Sequence, residues 1–264
     1  MKRTAFLLAV FPVVTAHAQD WAKAKLDASP RHQEWVDVKN GDRTVKTFVV
    51  YPERKDKAPV VVLIHEIFGA SDWFMLQADE LAEAGYIAVA PDLLSGMGPN
   101  GGRTSDFEDR SKVTEAVSGL NPDQVTGDLN ACCDYAKTIP SANGKLMVAG
   151  FCWGGGQSFR FATNRPDLSA AFVFYGTPPP SDAMARIKCP IYGFYGGNDN
   201  RVNATIDDAK KGMADAGKTY EPVVYDGAGH GFMRAGADPA GNDGNKKGRS
   251  DAWSRWLELL KKHS

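Results

Sequence analysis

"KLMVAGFCWGGG", residues 145–156, runs an apolar stretch straight into a glycine-rich turn that holds one cysteine. Residues 145–150 are short and nearly continuous in apolar character, as a parallel strand covered on both faces requires. Gly150-Phe151-Cys152-Trp153-Gly154 then sets small residues two before and two after the cysteine. A sharp strand-to-helix turn needs that frame, because a Cβ at either place would collide with a neighbouring strand or helix. A cysteine in this setting can be a small core residue, a redox thiol or a catalytic nucleophile.

Working outward, "PVVVLI" (59–64), "YIAVA" (86–90), "AAFVFY" (170–175), "PIYGFYG" (190–196) and "EPVVYD" (221–226) read as strands of the same kind. "WVDVKNGDRTVKTFVVYP" (35–52) alternates around Asn40-Gly41, the signature of an antiparallel hairpin. Helical spacing falls between the strands. Phe74, Ala78, Leu81 and Ala82 form one apolar stripe, with Ser71 or Asp72 as its cap. Residues 125–139, 154–164, 202–217 and 250–262 supply four more helices, the last with Trp253, Trp256, Leu257 and Leu260 as packing residues. Residues 95–106, 177–181 and 234–250 read as loops rich in Gly, Asn or Pro. The pattern predicts one α/β domain over residues 19–264: a mostly parallel, doubly wound sheet with an N-terminal antiparallel hairpin.

Composition narrows the class. The chain has 264 residues, 43% of them hydrophobic, enough for a substantial core. Lys plus Arg number 31 against 32 Asp plus Glu, so nothing suggests a nucleic-acid partner. "MKRTAFLLAVFPVVTAHAQD" begins with Lys2 and Arg3, continues apolar, and carries the small residues Ala16-His17-Ala18. This is the plan of a secretory signal peptide, 1–18, too short to span a bilayer. The expected product starts at Gln19, is periplasmic or secreted, has no membrane segment and is a monomer. Of the four cysteines, Cys132 and Cys133 fit a buried helix face; a disulfide to Cys189 stays open.

Ligands of open α/β sheets bind beyond the carboxyl ends of the strands. Polar residues gather there: His65-Glu66 after 59–64, Cys152 after 145–150, Asp199 after 190–196 and His230 after 221–226. The helix starting at the turn aims its positive end at the sulfur, which favours thiolate. His17 leaves with the signal peptide, His32 precedes the sheet and His263 sits at the last turn, so His65 and His230 remain as bases. The order Cys152, Asp199, His230 is the nucleophile–acid–base order of α/β-hydrolases. Asp199 could instead cap a helix before Val202, but its place at a strand end ahead of His230 favours the acid role. His65 precedes the nucleophile and is read as shaping the pocket.

Together "HEIFG" (65–69), "GFCWGG" (150–155), "GGND" (196–199) and "AGHGFMR" (228–234) resemble the dienelactone hydrolase family, over residues 35 to 260. The resemblance implies an α/β-hydrolase fold with Cys152 as nucleophile, His230 as base and Asp199 as orienting acid. It implies an oxyanion hole built from the backbone N–H groups of Ile67 and Trp153. It also implies that Glu66 engages the resting thiol until substrate releases it towards Arg234. Dienelactone-specific members carry a serine after the base and an arginine just after "PDL". This chain has Gly231 and then Leu94-Ser95-Gly96 at those places. Arg103 is the nearest candidate for the missing clamp, against the plainer reading of a solvated loop arginine.

A sulfur nucleophile constrains the substrate. Against an ordinary alkoxide the thiolate is the better leaving group, and the intermediate falls back. Activated esters or enol lactones reverse that balance, so the expected activity is a carboxymethylenebutenolidase-like hydrolysis through a thioester. No metal-ligand cluster or cofactor fingerprint accompanies it. The alternatives are an exported hydrolase-like binding protein without turnover and a thiol-redox protein, the latter without C-x-x-C.

Overall fold

A computed structural model describes residues 19–264; the predicted signal peptide, 1–18, lies outside the described residues. Among the described residues, eight strands form one sheet: β1 (Gln33–Asn40), β2 (Arg43–Val50), β3 (Ala58–Ile64), β4 (Ile87–Pro91), β5 (Ala142–Phe151), β6 (Ala170–Phe174), β7 (Ile191–Gly196) and β8 (Tyr220–Tyr225). Their order is β1-β2-β4-β3-β5-β6-β7-β8. β1 and β2 form the predicted hairpin, Asn40 opposite Arg43, with Gly41 at φ 57° in the turn. β2 also pairs antiparallel with β4, and every other neighbouring pair is parallel.

Every residue of β3, β4, β6 and β7 is buried, because helices cover both faces of the sheet. Successive side chains of β3 point to opposite layers. Val60, Val62 and Ile64 join Leu129, Cys132, Cys133 and Phe159 on one side. Val61 and Leu63 join Trp73, Phe74, Phe172 and Trp256 on the other. Full burial of each Val, Leu, Ile or Phe among them stabilises the fold by roughly 1.5–3 kcal/mol.

Two expectations are corrected. Residues 234–250 are not one loop: Phe232–Ala237 is helical, and the last helix runs Asp243–Lys262. Glycine there reflects tight packing: a Cβ on Gly248 would stand 2.7 Å from the Ala228 Cβ. The side chain of Asn242 caps that helix by accepting from Asn245 N at 2.8 Å. The helix expected over 202–217 is broken into Asn200–Asn203 and Ile206–Asp215, the first capped by Asp199. Helices Asp20–Asp27 and Arg110–Ser118 stand where no helix was expected.

β3 has β4 on one side and β5 on the other, so the chain winds outward in two directions from that seam. Such a switch point leaves a crevice beyond the strand ends. Residues 65–67 follow β3 and Cys152 follows β5, one on each side of it.

Candidate active site

Cys152 links β5 to helix Trp153–Phe161 with φ 55° and ψ −116°. That backbone conformation costs a non-glycine residue about 1–3 kcal/mol and persists only where its surroundings impose it. Here they do. A Cβ on Gly150 would stand 1.8 Å from Gly154 O, and one on Gly154 would stand 2.4 Å from the carbonyl oxygens of Ile64 and His65. Cys152 N donates to Phe174 O at 3.0 Å, tying the turn to β6.

His230 arrives on the loop after β8 and Asp199 on the turn after β7. His230 Nε2 lies 3.0 Å from Cys152 Sγ, and Nδ1–H donates to Asp199 Oδ2 at 2.5 Å. Asp199 is buried, and its other oxygen accepts from Val202 N at 3.3 Å. The helix-cap and acid positions foreseen as alternatives for Asp199 are therefore occupied at once. The hydrogen bond to Cys152 raises His230 to about 9, with Asp199 adding to it and burial opposing it.

Ile67 and Trp153 line a cleft of about 420 Å³ together with Cys152, Gln157, Tyr175 and Pro179. The backbone N–H groups of Ile67 and Trp153 have no hydrogen-bond partner among the described residues. Two unpaired amides beside a sulfur can hold a developing oxyanion.

Glu66 does not take the place expected for it. Its buried carboxylate accepts from Arg234 Nε at 2.7 Å and from Tyr175 Oη at 3.2 Å, and the sulfur is bonded to His230 instead. A guanidinium donates a stronger, charge-assisted bond than a thiol can, so Arg234 holds the carboxylate without any substrate. Tyr175 escaped the sequence reading as an ordinary strand residue. It sits at φ 40° and is fully buried, with its ring edge-on to His230 at 5.2 Å. Burial pushes its hydroxyl well above the usual phenol range, so it remains a donor to Glu66.

Arg103 is also elsewhere. Its guanidinium stacks 3.8 Å over the Trp35 ring and lines a separate cleft of about 610 Å³ with Arg43, Lys46 and Asp106. That cleft is larger but contains neither the sulfur nor the imidazole, so its size carries no chemistry. The arginine near Glu66 that the sequence did not reveal is Arg110. It lies 3.5 Å over the Phe68 ring, which Arg234 also approaches at 5.1 Å. Burial and the Arg234 charge lower its pKa, Glu66 opposing them. Arg110 has no carboxylate within ion-pair distance among the described residues. No local motif marks it.

His65 is fully buried behind Trp153 and does not line the cleft. Cys132, Cys133 and Cys189 are free and buried, so the disulfide left open does not form. Among the described residues, no group of three or more His, Cys, Asp or Glu side chains is placed to hold a metal.

The chain can be compared with known proteins once the fold and the geometry around Cys152 are in place. The model of the dienelactone hydrolase family matches residues 45–264. The chain belongs to the dienelactone hydrolase family. A Methylorubrum extorquens protein named "Putative carboxymethylenebutenolidase" is 32% identical over 241 residues, covering 87% of this chain and 80% of that one. One of the same name from Salmonella typhimurium is 33% identical over 221 residues, 78% of each. The crystal structure of a "Putative Dienelactone Hydrolase" from Klebsiella pneumoniae superposes with TM-score 0.77 at 25% identity, covering 88% of this chain and 98% of that one. The fold is that of the α/β-hydrolases, and the protein is a dienelactone hydrolase-like hydrolase.

Proposed function

We propose that this dienelactone hydrolase family member cleaves activated esters or enol lactones, as a carboxylic ester hydrolase with Cys152 as nucleophile. The observation that carries the reading is the unbroken chain Asp199–His230–Cys152, at 2.5 and 3.0 Å, beside the free amides of Ile67 and Trp153.

With His230 raised to about 9, an imidazolium faces the sulfur at neutral pH. Sγ attacks the carbonyl carbon, and the oxygen takes its negative charge between the two amides. Collapse expels the enol or phenol oxygen, which takes the Nε2 proton of His230. The sulfur is then a thioester, and the hydrogen bond that most raised the ring is gone. The neutral imidazole takes a proton from water, hydroxide adds to the thioester, and Sγ departs as thiolate beside the re-formed imidazolium. Arg110, 3.5 Å from the Phe68 ring, with Arg234 5.1 Å from the same ring, would hold an anionic group on the substrate. Export of a monomer through residues 1–18 belongs to the same proposal.

The test is hydrolysis of p-nitrophenyl acetate and of a carboxylated dienelactone by the wild type and Cys152→Ala. We expect the variant to lose at least about a thousandfold in kcat; equal rates would remove the reading. Arg110→Met should raise KM for the carboxylated lactone about tenfold, one arginine–carboxylate bond at about 1.4 kcal/mol. It should leave p-nitrophenyl acetate unaffected, and a matching rise for both would deny the anion role.

A further inference from the structure

His65 is fully buried, and its Nε2 has no hydrogen-bond partner among the described residues. Its other nitrogen lies 2.7 Å from Glu66 O. A carbonyl only accepts, so Nδ1 carries the proton and Nε2 is left as a bare buried acceptor. Burial lowers the affinity of this ring for a second proton, so it stays neutral. Leaving a buried acceptor unsatisfied destabilises the fold. A leucine here would avoid that cost, so the ring's donor must offset it elsewhere.

The site of the offset is the peptide joining Glu66 to Ile67. Glu66 O accepts from His65 Nδ1 and also from Gly69 N at 3.2 Å. In a planar trans peptide the C=O and N–H point in opposite directions. Holding the Glu66 carbonyl against His65 and Gly69 therefore turns the Ile67 N–H the other way, towards the cleft that Ile67 shares with Cys152. The same imidazole stacks on Trp153 with centroids 5.5 Å apart and planes 16° apart, while Phe74 closes its edge at 5.8 Å. Trp153 carries the second free amide. One ring thus bonds the peptide of one amide and packs against the residue bearing the other.

We propose that His65 is a positioning residue that sets the spacing of the two oxyanion-binding amides of Ile67 and Trp153. This rests on Cys152 acting as proposed above. His65 touches no substrate and moves no proton. Its donor fixes the direction of one amide, and its stacked face fixes the distance to the other.

Ester attack and alkylation separate this role from mere folding. Both need the Cys152 sulfur, but only ester attack develops an oxyanion; displacement of iodide from iodoacetamide does not. His65→Phe keeps the stacked ring and removes the donor, and His65→Asn keeps an N–H at the position of Nδ1. In His65→Phe we expect kcat for p-nitrophenyl acetate to fall about 30- to 100-fold, somewhat less than deletion of an oxyanion donor. Its KM and its rate of Cys152 alkylation should stay within about twofold of wild type, and His65→Asn, which keeps the donor but not the stacked face, should recover kcat in part, to within about tenfold of wild type. A parallel loss of alkylation and hydrolysis in His65→Phe would mean a distorted turn and overturn the proposal, as would unchanged hydrolysis. If His65→Phe does not fold, His65→Asn decides: a hundredfold loss of kcat with normal alkylation refutes the donor's role. Wild-type hydrolysis that survives Cys152→Ala would instead strike the proposed function, a distinct result.

Discussion

Cys132 and Cys133, on helix Pro122–Thr138, and Cys152, at the end of β5, share a side chain and almost nothing else. Cys132 is sealed beneath β2, its sulfur 3.6 Å from Thr47 Oγ1, and burial pushes its thiol up to about 12. Cys133 is pushed higher still by burial, although the Arg165 charge pulls the other way. Both pack among Val45, Val62 and Leu129, as small apolar residues would. Cys152 instead sits at a cleft, on a backbone turn that helix and sheet force into positive φ, with an imidazole 3.0 Å from its sulfur. The chemistry of a thiol here follows from where the backbone places it. Regular helix buries and silences it; the break between strand and helix exposes it to a partner.

The contrast is sharpest at the partner. Asp199→Asn leaves the packing intact but removes the carboxylate that accepts from His230 Nδ1 at 2.5 Å. We expect kcat/KM to fall by about 10²- to 10⁴-fold, the scale on which losing an orienting acid acts in such triads. The pH profile should move as well. His230 is raised to about 9 in part by Asp199, and acylation uses its protonated form. Wild-type kcat/KM should therefore decline as pH rises through about 9, and the decline should begin at lower pH in Asp199→Asn. A limb that does not move would show that Asp199 leaves the imidazole untuned, and the site sulfur would have lost what sets it apart.

A smaller effect concerns access. Iodoacetamide should modify Cys152 in the native protein and reach Cys132, Cys133 and Cys189 only after unfolding, as peptide mapping by mass spectrometry would show. Native labelling of Cys133 would break the contrast outright.

How much of this was legible beforehand follows the same physical line. The turn at Cys152 was readable because Gly150 and Gly154 answer a local steric demand, and sequence records local demands directly. The strands were readable because β3, β4, β6 and β7 are buried end to end. Interactions across space were not. Arg110 meets Phe68 only because the segment after β4 folds back over the loop after β3, and nothing around residue 110 announces that. Arg103 looked better placed by distance along the chain, yet Trp35 on the hairpin captures it. Glu66 was expected at the thiol, but Arg234 and Tyr175 hold it, and Tyr175 reaches it from the end of β6. Glycines at 244 and 248 imitated a loop because close packing and loop freedom select the same residue. A Cβ on Gly244 would stand 2.2 Å from Gly227 O.

The smallest expected effect tests the silent side of the comparison. Cys133→Ala removes one sulfur from a fully buried position and leaves a small void, since the neighbours relax only in part. The folded state should lose roughly 1–2 kcal/mol, read as a lower denaturation midpoint at an unchanged denaturant slope. Its kcat on p-nitrophenyl acetate should match wild type within error, because helix Pro122–Thr138 packs under β3 and β5 without reaching the cleft. A loss of kcat with no loss of stability would mean that this sulfur communicates with the turn through β5. Burial would then not isolate this sulfur from the chemistry, and the two environments would differ by degree instead of kind.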